Sequence, residues 1–124
     1  MAMNVKQMLE AANAAVPKIT PDQAIDMIKK GNTLVVDVRD ALEIAASGMI
    51  AGAVNVSRGM LEFRADPESP SYDSNFEKGK TVILYCVSGG RAALAGKLLR
   101  DMGYDNVYNL GGFKDWTGAV EPGA

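Results

Sequence analysis

One cysteine, placed between a predicted strand and a predicted helix, is the feature that most constrains this chain. Residues 81–85 are apolar and rich in β-branched and aromatic side chains, which predicts a buried strand that leads into Cys86. Gly89 and Gly90 then permit a tight turn with positive φ. Beyond the turn, apolar side chains recur at helical spacing: Leu94, Ala95, Leu98, Leu99 and Met102. We therefore expect the thiol at the carboxyl end of a strand and the start of a helix, where open α/β sheets bind ligands.

The chemistry open to Cys86 is limited because the chain has no histidine. This excludes an imidazole base for the thiol and any zinc site that uses a histidine ligand. A single cysteine forms neither an internal disulfide nor a thiolate cluster, so we expect no metal and a reducing, cytoplasmic location. Activation of Cys86 is then expected from Arg91 and from the backbone N–H groups and dipole at the helix start.

The remaining sequence alternates further helix starts and strands. Three capping pairs predict the start of a helix: Asn4 with Gln7, Thr20 with Gln23, and Asp40 with Glu43. Strands are predicted at residues 33–38, 53–56 and 106–110. Residues 58–64 are expected to form a brief helix with Met60, Leu61 and Phe63 facing inward. This order predicts an α/β domain with a mostly parallel sheet.

Length and charge set further bounds on the chain. Its 124 residues suit one domain, and its net charge of −2 gives no electrostatic reason to expect nucleic acid or an anionic membrane as a partner. No apolar run approaches the ~20 residues of a membrane span. We expect a helix in residues 1–17 that packs on the domain, the domain itself in residues 18–120, and a frayed tail in residues 121–124. Residues 65–79 are expected to form a long surface loop.

The cysteine turn also resembles the active-site loop of the rhodanese sulfurtransferases, a cysteine and an arginine separated by four residues. Here these are Cys86 and Arg91. Three further stretches resemble that family's signatures in the same order: residues 34–39 with Glu43, residues 48–55, and residues 109–113 with Trp116. The resemblance covers roughly residues 18–120. It implies a three-layer rhodanese-like domain, in which helices flank a mostly parallel central sheet.

The resemblance also implies an activity, the transfer of a sulfane sulfur. Cys86 would attack a donor such as thiosulfate, a persulfide or a polysulfide, and would carry the sulfur as a covalent persulfide, with no other cofactor. The acceptor would be a thiol, for example a small protein or glutathione, or cyanide. The backbone of the loop would cradle the outer sulfur, and Arg91 would brace the loop and add positive charge. The predicted substrate-binding residues are Val87, Ser88, Gly89, Gly90 and Arg91.

Three supporting residues have open interpretations. Asp37 and Arg39 stand at the end of a buried strand. They could be charges that are solvated or paired with each other there, or they could support the catalytic loop from the neighbouring strand. Arg58 follows a predicted strand end and could reach the sulfur pocket, or it could be a surface residue.

The chain departs from the family pattern where Met49 replaces a histidine, Ala51 a proline, and Val87 the basic residue of thiosulfate-specialised members. Val87 therefore favours persulfide or polysulfide donors. One alternative function is a non-catalytic rhodanese-like interaction or sulfur-carrier module. The other is a cysteine phosphatase or arsenate reductase, although those enzymes place five residues between the cysteine and the arginine.

Overall fold

The computed structural model describes residues 2–122, and a four-stranded parallel sheet lies at its centre. The strands are β1 (Thr33–Asp37), β2 (Met49–Ile50), β3 (Val54–Asn55), β4 (Thr81–Cys86), β5 (Val107–Gly112) and β6 (Val120–Glu121). The sheet order is β3-β1-β4-β5, and β2 pairs with β6 in a separate antiparallel ribbon. The two long strands β1 and β4 occupy the middle, and their residues are almost all buried, as parallel strands covered on both faces should be.

Of the five helices in the described part of the chain, three begin directly after the predicted capping residues Asn4, Thr20 and Asp40. The helices are α1 (Val5–Ala15), α2 (Pro21–Lys30), α3 (Ala41–Ser47), α4 (Leu61–Ala65) and α5 (Gly90–Asp101), with short 3₁₀ turns at Arg58–Met60 and Phe113–Asp115. Complete capping boxes precede α1 and α2, and Glu43 accepts the backbone N–H of Asp40 at the start of α3. None of the helices within residues 2–122 has the length and apolarity needed to cross a membrane.

Two apolar clusters cover the two faces of the sheet and give the predicted three layers. Alternate side chains of β4 point to opposite faces, so Leu84 and Cys86 lie in the cluster under α4 and α5. Tyr85 lies in the other cluster, together with Ala24 of α2. The helix α1 packs along α5 and buries Ala12 completely. The α/β fold with a mostly parallel sheet flanked by helices is therefore confirmed.

The structure corrects two expectations from the sequence and adds detail to a third. Met60 and Phe63 are 41% and 52% exposed, because only Leu61 and Ala65, one helical turn apart, face the core of the short α4. Glu121, assigned to a frayed tail, pairs with Met49 in the β2–β6 ribbon. The rest of that predicted tail beyond Pro122 lies outside the described residues. The long loop after α4 is tied down, since its Phe76 is fully buried against Tyr104.

Candidate active site

Cys86 is the last residue of β4, and its sulfur is held by the turn that follows. The backbone N–H of Gly89 donates a hydrogen bond to Sγ at 3.0 Å. Cys86 is a free thiol and only 2% exposed, with the β-carbon side in the core cluster. The sulfur therefore sits at the base of the loop, within reach of a main-chain donor and next to the start of α5.

The turn lies so close to β5 that two positions accept only glycine. Gly89 has φ +108°, a left-handed conformation that side chains rarely adopt. A β-carbon on Gly112, which pairs with Cys86 across the sheet, would stand 2.1 Å from the carbonyl oxygen of Val87. The register shifts just before this pair, so that Tyr85 faces Gly111 and Leu110 is skipped. This irregularity brings a glycine, and no side chain, against the cysteine loop.

Asn109 fastens this turn to β5, a role that the sequence analysis missed. Its side-chain Nδ2 donates to the carbonyl of Gly89 at 3.1 Å, and its Oδ1 accepts the N–H of Gly111 at 2.8 Å. The residue is 1% exposed, and its backbone also bonds to Pro17 and Ile19 in the segment that leads into α2. Asn109 is the first residue of the last of the four signatures. No feature of the neighbouring sequence indicated that its side chain connects Gly89 with Gly111.

The start of α5 lies directly after the loop that holds the sulfur. Gly89 is the N-cap, and no side chain caps the helix. The first backbone N–H groups of an α-helix have no acceptor within the helix and carry the positive end of its dipole. They lie directly after the amide that touches Sγ. The loop thus combines a thiol, one N–H that donates to it, and an uncapped helix start within a few residues of one another.

Arg91 is held by Glu43 of α3. Its two terminal nitrogens each lie 2.8 Å from one carboxylate oxygen of Glu43, which is a bidentate pair. These hydrogen bonds, with that from Asp40 N–H, lower the pKa of Glu43 to about 2, and the same pairing raises the pKa of Arg91. Arg91 therefore links the first turn of α5 to α3, and its bracing of the loop stays a prediction. Its charge is shared with a carboxylate, which the sequence analysis did not foresee.

Asp37 and Arg39 form a buried ion pair under the neighbouring strand end, with exposures of 0% and 3%. Arg39 contacts both carboxylate oxygens and also donates to Gly48 O and Ser47 Oγ. Its guanidinium lies 4.4 Å from the centre of the Phe113 ring, which itself stacks on Tyr85. The pair thus supports the residues on each side of the Cys86–Gly112 contact. It does so from the opposite face of the sheet to the sulfur.

Tyr85 joins this support to the chain just before the nucleophile. Its hydroxyl accepts the N–H of Ile50 at 3.0 Å. Burial, together with the neighbouring Asp37 carboxylate, raises the pKa of Tyr85. The phenol therefore stays neutral, and its hydrogen bond with Ile50 connects β4 to β2.

Arg58 is not part of the sulfur site among the described residues. Its side chain pairs with Glu62 one turn later at 3.4 Å and lines a groove between α1 and α5. Of the two interpretations of Arg58, these contacts favour the surface residue, because its side chain is 33% exposed and pairs with Glu62 on the next turn.

An open cleft of about 350 Å³ flanks the loop on the β5 side. The loop contributes Ser88, Gly89 and Gly90 to its lining, and α1 contributes Leu9 and Asn13. The same cleft contains one cation and one carboxylate, Lys18 and Asp115.

Comparison with known proteins gives the family. The sequence model of the rhodanese-like domain matches residues 20–119. The thiosulfate sulfurtransferase GlpE of Actinobacillus succinogenes is 32% identical over 110 residues, which are 87% of this chain and 90% of that protein. A tRNA uridine(34) hydroxylase of Brucella suis is 33% identical over 94 residues, but these are only 30% of its length.

Solved structures agree with this comparison. A protein of unknown function from Rhodopseudomonas palustris, described as a possible tyrosine phosphatase, is 38% identical with a TM-score of 0.89, over 98% of this chain and 96% of that one. The human single-domain sulfurtransferase TSTD1 is 25% identical with a TM-score of 0.70, over 82% and 95% of the two chains. With four signatures in order and a family match over most of its length, this chain belongs to the rhodanese-like domain family.

Proposed function

We propose that this protein is a sulfurtransferase in which Cys86 carries a sulfane sulfur as a persulfide. The observation that carries the proposal is the hydrogen bond from Gly89 N–H to Cys86 Sγ at the uncapped start of α5. A sulfur anion on Cys86 would find at least one aimed donor and the positive end of a helix dipole there. The similarity to GlpE, a thiosulfate sulfurtransferase, supports the same reaction class.

The reaction consists of two displacements at sulfur. In the first, the Cys86 thiolate attacks the outer sulfur of the donor, the new S–S bond forms, the old S–S bond breaks, and sulfite or a thiolate leaves with its electron pair. In the second, an acceptor thiolate attacks the outer sulfur of the Cys86 persulfide, and the Cys86 thiolate leaves. No electron is gained or lost overall, so the cycle needs no cofactor beyond the covalent persulfide.

The loop assists both steps through fixed main-chain donors. Negative charge passes from Cys86 Sγ to the outer sulfur and back, and the Gly89 N–H already donates to Sγ, the atom that would carry that sulfur. One such donor contributes about 2.7–4 kcal/mol of transition-state stabilisation in other enzymes. Glycine at position 89 keeps the donor close to the sulfur, because a β-carbon there would contact the main chain of Gly111.

The partners are then a small sulfane donor and a thiol acceptor. Because Cys86 is almost completely buried, only a slender group can bring its sulfur to Sγ, which suits thiosulfate, a persulfide or the terminal thiol of a carrier. A working free thiol also suits a reducing compartment, so we propose a cytoplasmic location.

The test is mass spectrometry of the whole protein after incubation with thiosulfate and, separately, with a low-molecular-mass persulfide. We expect a gain of one sulfur at Cys86, loss of that sulfur on adding a thiol, and no gain in Cys86→Ser. Ser88→Cys combined with Cys86→Ser is a matched control, because it keeps a thiol in the loop but removes it from the strand end. A wild-type protein that gains no sulfur from either donor would be a non-catalytic module.

The similarity to a possible tyrosine phosphatase makes a second candidate worth a direct test. Two observations argue against it in this chain. Only four residues separate Cys86 and Arg91, and the guanidinium that would bind a phosphate is engaged by both carboxylate oxygens of Glu43. We expect no turnover of an aryl phosphate; turnover that disappears in Cys86→Ser would reinstate the phosphatase.

A further inference from the structure

Two arginines near the nucleophile loop are paired with carboxylates. Arg91 is bound bidentately by Glu43, and Arg39 is bound by Asp37. Lys18 shares the flanking cleft with Asp115, and Arg64 shares a smaller cleft at the strand ends with Asp40. The backbone at the start of α5 adds the positive end of a helix dipole beside Cys86.

Arg91 lies five positions after Cys86, in the first turn of α5. Its hydrogen bonds to Glu43 raise the pKa of Arg91 most, and Cys86 and Asp40 contribute to the same shift through their charges. The guanidinium of Arg91 therefore interacts electrostatically with Cys86 as well as with the two carboxylates. Because Glu43 stays ionised down to a pH of about 2, its negative charge opposes that of the guanidinium throughout the neutral range.

The charge of the donor matters because the nucleophile is itself an anion. A thiolate repels thiosulfate, a dianion, more than it repels a persulfide that carries one negative charge or none. A free guanidinium beside the thiolate would offset that repulsion, and a guanidinium held by a carboxylate does so much less.

We propose that Glu43 determines the donor class of this enzyme: by neutralising Arg91 beside Cys86, it makes the site favour singly charged or neutral persulfides over dianionic donors. This inference rests on the proposed sulfurtransferase function, which it deepens. Val87, where a basic residue would add charge, acts in the same direction. Glu43 acts on the sulfur through Arg91, which it binds with both carboxylate oxygens.

The substitution Glu43→Gln isolates the charge with little other change. Glutamine keeps an oxygen that can accept the N–H of Asp40, so the capping bond of α3 survives. It also keeps a hydrogen-bond acceptor for Arg91. The matched control is Glu62→Gln, which removes the same charge from the other glutamate–arginine pair, on Arg58, away from the sulfur.

The first measurement needs no sulfur transfer. Rates of Cys86 alkylation are compared for iodoacetate, an anion, and iodoacetamide, which is neutral. We expect the iodoacetate-to-iodoacetamide ratio to rise at least about threefold in Glu43→Gln, to fall back at high salt, and to stay at the wild-type value in Glu62→Gln.

The second measurement uses the donors themselves. Loading of Cys86 is followed by mass spectrometry with thiosulfate and with 2-hydroxyethyl persulfide, whose organic part is uncharged. We expect the wild type to prefer the persulfide, and the thiosulfate-to-persulfide rate ratio to rise at least about threefold in Glu43→Gln.

A double variant separates charge from structure. Arg91→Ala with Glu43→Gln has neither charge, so both ratios should return toward the wild-type values. If the double variant kept the increase, loosening of the loop rather than charge would be the cause, and the proposal would be wrong.

The outcomes also distinguish this inference from the function on which it rests. Normal loading with unchanged ratios in Glu43→Gln overturns the role of Glu43 and leaves the sulfurtransferase in place. A raised alkylation ratio in a protein that no donor loads supports the charge masking and overturns the sulfurtransferase. A Cys86 that reacts with none of the four reagents overturns both.

Discussion

The side-chain amide of Asn109 donates to the carbonyl oxygen of Gly89 at 3.1 Å, and Gly89 is the residue whose own N–H donates to the sulfur of Cys86. The two residues are 20 positions apart in sequence, on neighbouring elements. The same amide accepts the N–H of Gly111. A single buried side chain therefore determines how the nucleophile loop sits on β5.

Asn109→Ala should reduce both stability and sulfur loading. The substitution leaves the carbonyl of Gly89 and the N–H of Gly111 without their partners, at a cost of about 2–3 kcal/mol in the free energy of unfolding. Urea denaturation measures the stability, and mass spectrometry measures the loading. Asn106 is exposed and directly precedes β5, so Asn106→Ala should change neither the stability nor the loading. A fully stable, fully active Asn109→Ala variant would contradict the bridging role.

Gly112→Ala should displace the loop. The added β-carbon would lie 2.1 Å from the carbonyl oxygen of Val87, which is main chain and cannot swing aside. We expect a loss of at least about 1–3 kcal/mol in unfolding free energy and a sharp fall in Cys86 loading. Gly59→Ala, which meets nothing within 4 Å, is the control and should fold with wild-type stability.

Arg91→Ala should slow loading more than it lowers stability. The pair with Glu43 is about a third exposed on each side, 37% and 34%, so its removal should cost no more than about 1 kcal/mol. The substitution leaves the Glu43 carboxylate uncompensated near Cys86, which repels an anionic donor. A large fall in melting temperature with unchanged loading would show that the arginine is structural only.

The Glu43–Arg91 pair should also give a small acid-dependent stability term. The pKa of Glu43 is lowered in the folded state from 4.5 to about 2, so the unfolded chain binds this proton first as pH falls. The stabilisation is therefore present above pH 4.5 and is lost as pH falls toward 2. Solvent screening limits it to about 1 kcal/mol or less. Urea midpoints across this range should fall more steeply in the wild type than in Glu43→Gln, and parallel curves would contradict the assignment.

Asp37→Asn should be the most destabilising charge change in the chain's sheet. It leaves Arg39, 3% exposed, with a buried charge that has lost its ionised partner, at a cost of about 3–5 kcal/mol. The control Asp101→Asn removes a carboxylate that is 65% exposed and pairs with Lys97, and it should cost at most about 0.5 kcal/mol. Equal effects of the two substitutions would show that the buried pair is not a buttress.

Local chemistry explains why much of this fold could be predicted from the sequence. The caps of α1 and α2, the buried strands β1 and β4, and the glycine turn after Cys86 each depend on residues within a few positions of one another. The strand–turn–helix unit alone was enough to place the thiol at the carboxyl edge of the sheet. In the same way, four short signatures in order were enough to indicate the family.

Only the tertiary structure decided which side chains meet around that thiol. Glu43 and Arg91 are 48 positions apart, and their pairing follows from β1 and β4 lying side by side, so that the elements after them meet at one edge. The bridge from Asn109 to Gly89 depends on the register shift between β4 and β5, which leaves no mark in the local pattern. Arg58 follows a strand end, which made it a candidate for the sulfur site from the sequence. In the structure it begins a 3₁₀ turn, and its side chain pairs with Glu62. The secondary-structure propensities of amino acids depend on residues a few positions apart in sequence. The charge near Cys86 depends instead on residues that are far apart in sequence and meet only in the folded sheet.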